Sequence, residues 1–310
     1  EKGTTYQLPY LGRFSWENAL AHPNAGDRTL VVGLDDSSPG QVYLYVGNKQ
    51  NYGSVVEKAG LQYGKLYGVR INNGGAHYAN GLVKLENAGA INGTFDLVDM
   101  SDIVAFDSGA QLQTQSTARD VTEFARPEDG HWDTKNPNVF YWVTTGRSGQ
   151  SAKLYKFTFD SIANPTGGTV ESVLDAANLV GTDGQVARSF DNMVVDGDGN
   201  ILIQEDPGGS DYIAKTWKFN PNTGIAVQIF ENDRGRFLPG APNFLTRDEE
   251  NSGVIDVTDI VANANWYEAG RRYYLTNTQA HYGIPGELVQ GGQVQMIASP
   301  RVGGAVKGKR

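Results

Sequence analysis

The chain has 310 residues, among them 39 glycines and no cysteine, and its formal net charge is −9. This acidic balance argues against general binding to nucleic acid or to anionic membranes, because such partners select a basic surface. The lack of cysteine excludes a disulfide framework and Cys-ligated zinc within these residues, and no run of about 18 apolar residues predicts a membrane span.

Short strand-like segments follow one another along most of the chain. They are rich in Val, Ile, Tyr, Phe and Trp, and clusters of Gly, Asn, Asp or Pro separate them. We leave residues 80–125 unassigned and expect short helical turns at 172–178 and 257–262. The predicted strands are 29–34, 41–46, 65–71, 139–144, 153–159, 200–204, 213–219, 226–230, 272–276 and 292–298.

Four acidic residues are each followed at once by Asn or Asp, just ahead of a strand-like run. If each pair opens a repeated β unit, radial packing brings the carboxylates to one end of a shared axis, where they could bind a hard cation. The first interval between pairs is about twice the others, which predicts either a large insertion or a divergent unit there. The pairs are Glu17-Asn18, Glu128-Asp129, Asp191-Asn192 and Glu250-Asn251.

These repeats predict an all-β fold, and in particular one closed β-propeller domain over residues 1–310 with loop insertions. About six blades follow from a typical ~45–50 residues per blade. The last strand, 292–298, could pair with the N-terminal region and close the ring, which would remove exposed strand edges. A lectin-like jelly roll is the alternative architecture.

The phrases FARPEDGHWD, DNMVVDGDGNILIQED and RDEENSGVIDV resemble the PhoX-type alkaline phosphatases and their bacterial propeller relatives. That resemblance implies axial carboxylates that hold several calcium ions and an iron pair for phosphate-ester hydrolysis. Carried over by position, the metal ligands would be Glu17, Glu128, Glu205 and either Glu249 or Glu250. The family's iron centre uses a cysteine ligand, so the absence of cysteine here argues against iron and favours Ca²⁺, which needs only oxygen ligands.

The residues themselves also support a metal site, to which we add Asp191. Crowded carboxylates repel one another and are tolerable only with cations or shared protons. The alternative is that each acid caps a local turn, as Asp and Asn often do. The segment from Asp196 to Asn200 is better explained as a hairpin turn than as an EF-hand, because Ile201 stands where that loop requires glycine.

Arginines precede the acid markers, and a phosphate ester must be held as well as attacked. Arg126 lies two residues before Glu128 and Arg247 two before Glu249, and residues two apart in an extended segment face the same side. Arg126 and Arg247 are therefore the candidate catalytic residues, able to bind a phosphoryl oxygen. Arg13 and Arg188 also precede markers. The alternative for each is a structural ion pair between blades.

Three functions remain open at this stage. The first is a metal-dependent hydrolase acting on a small phosphate ester, and the second is an ester or lactone hydrolase on a calcium propeller. The third is a noncatalytic, calcium-stabilised interaction module. The chain begins with Glu1 rather than Met, so we expect a processed form or a fragment, and a secreted or periplasmic location.

Overall fold

The computed structural model describes residues 3–72, 82–83, 86, 89–103 and 107–301. Within these residues nearly all regular structure is β, with seventeen strands and three short α-helices. The prediction of an all-β fold is confirmed. The chain divides into two compact units, Glu1–Val173 and Leu174–Arg310.

The first unit contains one ten-stranded sheet in the order β1-β2-β3-β4-β6-β10-β9-β8-β7, with β5 paired to β4. It consists of two four-stranded meanders, β1–β4 and β7–β10, which β6 joins at their outer strands. The strands are β1 (Trp16–Ala21), β2 (Arg28–Asp35), β3 (Val42–Asn48), β4 (Lys65–Asn72), β5 (Leu82–Val83), β6 (Asn92–Asp99), β7 (Pro127–Trp132), β8 (Val139–Thr144), β9 (Lys153–Phe159) and β10 (Gly167–Asp175). The helices of this unit are α1 (Val55–Lys58) and α2 (Gly109–Ala118).

An aromatic core supports the second meander of this unit. All six residues of β8 are buried, so this strand is apolar on both faces. The ring of Trp142 stacks on Tyr155 at 4.6 Å between centroids and meets Phe124 edge-on at 4.7 Å. Burial of each large ring stabilises the fold by roughly 1.5–3 kcal/mol. This packing therefore fixes β8, the strand that pairs with β7.

The first strands of the two meanders, β1 and β7, lie side by side within this unit. Asn18 Nδ2 donates a hydrogen bond of 2.8 Å to Asp129 Oδ1, although the two residues are 111 positions apart. Trp132 Nε1 donates to the Leu20 carbonyl at 3.1 Å. The acid markers of the first two repeats are thus brought together by direct contacts between these strands.

The second unit contains a four-stranded meander, β11–β14, and a three-stranded meander, β15–β17. Gln204 connects them, since its Nε2 donates to Thr276 Oγ1 at 2.7 Å and its Oε1 accepts from the Gly253 N–H at 3.1 Å. The elements are β11 (Phe190–Val195), β12 (Ile201–Glu205), β13 (Lys215–Asn220), β14 (Ile225–Glu231), α3 (Arg234–Phe237), β15 (Glu249–Asp256), β16 (Arg271–Gly283) and β17 (Gln290–Pro300).

The predicted hairpin between β11 and β12 is confirmed. Val195 lies opposite Ile201, and the Asp196 carboxylate accepts hydrogen bonds from the N–H groups of Asp198 and Asn200. Gly199 has a φ of 86°, which a residue with a side chain rarely adopts. The Asp-Gly sequence therefore forms the turn of this hairpin.

Each predicted strand overlaps an observed one, and the insertion or divergent unit expected after the first meander contains β5, β6 and α2. The turn expected at 172–178 is helical only at Ala176–Asn178, because the preceding residues belong to β10, and 257–262 holds non-helical turns. The strand predicted at 292–298 lies in β17, which pairs with β16. Closure with the N-terminal region, the six blades and the single propeller domain stay predictions. None of the helices among the described residues is long and apolar enough to cross a membrane.

Candidate metal centre

Each of the four meanders opens with a strand that carries one extra residue near its start. From Trp16 to Ala19 the chain advances three residues along β1 while β2 advances only two. Such a β-bulge bends the strand and redirects its side chains. The identical shift follows Pro127 in β7, Phe190 in β11 and Asn251 in β15.

Three of the four acid markers lie inside these bulges. The acids in them are Glu17, Glu128 and Asp191, each directly after the last residue paired before the shift. In β15 the same position is taken by Ser252, and Glu250 lies two residues earlier, opposite Gln279. The register of the fourth repeat therefore differs from the other three, and its bulge carries no carboxylate.

The bulges of β1 and β7 bring two carboxylates together in the first unit. Oxygens of Glu17 and Glu128 lie within 4.8 Å of each other. Glu128 is 1% exposed, whereas Glu17 is on the solvent side of β1. Partial shielding from water raises the pKa of Glu17, and the negative charge of Asp36 raises it further, while Arg126 opposes both effects. Two carboxylates at this distance also repel one another, and a cation between Glu17 and Glu128 would relieve that repulsion.

Arg126 connects the end of β2 with the bulge of β7. Its Nε lies 2.7 Å from Asp36 Oδ1, and its Nη2 lies 3.1 Å from Glu128 Oε1. The residue has a φ of 60°, and its N–H donates to the Ser37 carbonyl at 3.2 Å. Thr145 also donates its hydroxyl to Glu128 Oε1. The Glu128 side chain is therefore held in place from two directions.

Glu205 lies in a different environment in the second unit. It is fully buried, and burial raises its pKa to about 7 although every hydrogen bond it accepts acts in the opposite direction. Its two oxygens accept hydrogen bonds of 2.8–3.1 Å from the Arg188 N–H, the Lys215 N–H, the Tyr212 hydroxyl and Trp217 Nε1. Protein donors thus surround this carboxylate.

Glu249 and Glu250 lie at the start of β15. Glu249 is buried and accepts from the Ala214 N–H at 2.8 Å and from the Asn232 amide. Burial raises the pKa of both glutamates to about 7, and the charge of Asp206 contributes in each case. His281 Nε2 lies 3.9 Å from Glu250 Oε2.

The two remaining predicted residues, Arg247 and Asp191, lie in the second unit. Arg247 Nη1 lies 3.5 Å from Asp211 Oδ1, and both side chains are more than half exposed. An exposed pair of this kind contributes about 0–1 kcal/mol to stability. Asp191 is half-buried in the bulge of β11. The roles predicted for all eight residues, and their convergence on one axis, stay predictions.

A family model described as alkaline phosphatase PhoX matches residues 2–255. The chain belongs to the PhoX alkaline phosphatase family. The resemblance stated from the sequence is therefore confirmed. Comparison with the curated proteins finds no match.

A solved PhoX structure shares the fold of this chain. It is that of Pseudomonas fluorescens PhoX in complex with vanadate, a transition state analogue, and its TM-score with this chain is 0.62 at 17% sequence identity. The match covers 98% of this chain and 56% of that one, so the present chain spans little more than half the length of that PhoX.

Sequence reasoning underestimated some residues around the Glu17–Glu128 pair of this PhoX family member. It assigned no role to Asp36 and did not single out Thr145. The signal available for Asp36 was its position at the end of β2, level with the marker on β1. Thr145 follows the apolar strand β8 and carries no comparable signal.

Proposed function

We propose that this PhoX family member is a metal-dependent phosphate-ester hydrolase and that Glu17 and Glu128 bind a Ca²⁺ ion. The observation that carries the proposal is the approach of these two carboxylates to within 4.8 Å across adjacent bulges. Ca–O distances are about 2.3–2.6 Å, so one ion can contact two oxygens separated by about 4.6–5.2 Å. The family match supports the reaction class.

The donor set fits a hard cation. Both ligands are carboxylates, and the chain has no thiol with which to bind a softer metal. The pKa of Glu17 is raised first by partial burial and then by the negative charge of Asp36. When bound, the cation would polarise the phosphoryl group and lower the pKa of a water molecule. Ca²⁺ takes about 6–8 oxygen ligands, so water and substrate oxygens are expected to supply several.

The protein's own residues orient this pair. Arg126 and Thr145 hold Glu128 Oε1, and Asp36 holds the guanidinium of Arg126. We assign Arg126 to positioning Glu128, because its Nε and Nη2 already contact carboxylates. We also propose a secreted or periplasmic location, for which the cysteine-free sequence is suitable.

The test is hydrolysis of 4-nitrophenyl phosphate by the purified chain after chelation and after Ca²⁺ is restored. We expect turnover that is lost with chelator, returns with Ca²⁺, and falls by at least about 100-fold in Glu17→Gln and Glu128→Gln. The matched control is Glu171→Gln, since Glu171 is an exposed glutamate that lies 3.7 Å from Lys156 in the same unit. Equal activity in all four proteins would contradict the proposed site. Ca²⁺ binding without turnover would select the noncatalytic interaction module.

A further inference from the structure

A pocket of about 570 Å³ in the first unit is lined by residues that are near Glu17 and Asp36 along the chain. Its size is typical of sites for small organic ligands, which are about 300–1,000 Å³. Two backbone hydrogen bonds connect it with the metal centre: the Asp36 N–H donates to the Ser15 carbonyl at 2.8 Å, and the Arg126 N–H donates to that of Ser37 at 3.2 Å. Ser15 and Ser37 line the pocket.

The walls of the pocket are largely apolar, with an arginine at the rim. The rings of Phe14 and Tyr43 lie 4.7 Å apart, and Phe14 is fixed from behind by Trp16, whose ring stacks on it at 4.1 Å. Asp35, which is 3% exposed, accepts hydrogen bonds from the Ser15 N–H and the Ser37 hydroxyl. The lining includes Arg13, Phe14, Pro39, Tyr43, Leu112 and Gln113.

Arg13 differs from the other arginines that precede acid markers. Arg126 and Arg247 form ion pairs, and Arg188 lies over the ring of Tyr212 at 4.2 Å. Within the part of the chain that the structure describes, Arg13 forms no ion pair. Exposure alternates along this segment, so that Arg13 and Glu17 are both exposed whereas Phe14 and Trp16 are half-buried. The guanidinium of Arg13 is thus available to a ligand of this pocket.

We propose that this pocket binds the alcohol portion of the phosphate ester, that this portion is an uncharged aryl group, and that Arg13 binds an oxygen of the phosphoryl group. The proposal rests on the proposed function of the metal centre. Apolar walls favour a flat ring, and a guanidinium pairs well with phosphoryl oxygens. A second anionic group on the ring is disfavoured, because Asp35 lies in the wall and Arg13 is the one cation among the lining residues.

The test measures binding of two stable analogues, phenylphosphonate and methylphosphonate, by isothermal titration calorimetry with Ca²⁺ present. We expect the phenyl compound to bind on the order of tenfold more tightly, because its ring removes apolar surface from water. Arg13→Gln should weaken both by about tenfold or more and leave their ratio unchanged. The matched control is Arg236→Gln, since Arg236 is an exposed arginine paired with Asp233 in the second unit.

A pocket-filling variant tests the other half of the proposal. Ala110 is exposed on the first turn of α2 and lines the pocket, so Ala110→Trp should fill it without disturbing the core. We expect this variant to lose the preference for the phenyl compound and to keep its affinity for methylphosphonate, with an unchanged melting temperature. An unchanged preference in Ala110→Trp, or equal affinities in Arg13→Gln and Arg236→Gln, would overturn the proposal.

The binding measurement distinguishes a failure of the pocket assignment from a failure of the proposed hydrolase function. If the expected binding pattern appears but no phosphate ester is hydrolysed, the proposed hydrolase function fails and the pocket assignment stands. If 4-nitrophenyl phosphate and glycerol phosphate are hydrolysed with equal KM, and Arg13→Gln leaves that KM unchanged, the pocket assignment fails and the hydrolase function stands.

Discussion

The two units carry the same bulged meanders but use their acidic residues differently. In the first unit, the bulges of β1 and β7 bring Glu17 and Glu128 within 4.8 Å, and Glu17 is exposed. In the second unit, the bulges of β11 and β15 carry Asp191 and Ser252, while Glu205 is buried among protein donors. A carboxylate whose oxygens are occupied by N–H and O–H groups stabilises the fold. A carboxylate next to another one is stabilised by a cation or by a shared proton.

The largest expected effect concerns the buried acid of the second unit. Glu205→Ala leaves the Trp217 and Tyr212 donors without their acceptor in a buried site, so we expect a loss of roughly 3–5 kcal/mol in the free energy of unfolding. Glu17→Ala, measured without metal, should change it by less than about 0.5 kcal/mol, because Glu17 is exposed. Urea denaturation of both variants checks the contrast. Equal losses would remove the distinction between the two units.

The pH dependence of stability sharpens the same contrast. The pKa of Glu205 is raised to about 7 in the folded state, so its stabilising contribution is complete below its ordinary value of 4.5 and is lost as the pH rises through about 7. The loss is on the order of 3 kcal/mol. Glu205→Gln should remove this component of the profile, whereas Glu171→Gln should retain it. A stability difference between the wild type and Glu205→Gln that is the same at pH 4.5 and above pH 7 would contradict this assignment.

Arg126 should matter moderately, through the position of Glu128. Arg126→Ala removes contacts with Asp36 and Glu128, and because Arg126 is 37% exposed we expect a loss of about 1 kcal/mol in stability. Arg126→Lys should restore little, since a lysine cannot reproduce the two-pronged contact. Thermal melting of both variants measures this. Full rescue by lysine would show that charge alone is needed.

The smallest effect is expected at the surface pair of the second unit. Arg247→Ala breaks only an exposed contact of 3.5 Å with Asp211, so stability should change by less than about 0.5 kcal/mol. Turnover of 4-nitrophenyl phosphate should also stay within about twofold of the wild type. A large loss of turnover would instead support the catalytic role predicted for Arg247 from its spacing.

Much of the β structure could be predicted from the sequence because its strands are short, apolar and bounded by turn residues. The prediction of 139–144 matches β8 at both ends, since every residue there faces packed neighbours. Helix α2 was missed because only Leu112 and Ser116 in it are buried, which leaves no apolar periodicity to recognise. Its start is set instead by the capping box of Ser108 and Gln111.

The candidate site was predictable only in part. An acid followed by an amide or acid indicates the bulge in three repeats, and the approach of Glu17 to Glu128 follows from the pairing of distant strands. The fourth repeat could not be aligned from sequence. Glu249 and Glu250 match the acid-marker pattern, but Ser252 occupies the position of the bulge. An acid followed by Asn or Asp also does not reveal whether hydrogen-bond donors surround the acid. The donors to Glu205, such as Trp217, come from other parts of the chain.

The most direct test of the central idea is Ca²⁺ binding to the Glu17–Glu128 pair. Calorimetric melting of the wild type, Glu17→Gln and Glu128→Gln should be compared in chelator and at a saturating Ca²⁺ concentration. Binding to the folded state at about 100 times Kd should add roughly 2.7 kcal/mol to the stability of the wild type and raise its Tm. We predict that this increase is lost in both variants and retained in Glu171→Gln. An unchanged wild-type Tm, or an equal increase in all four proteins, would contradict the account.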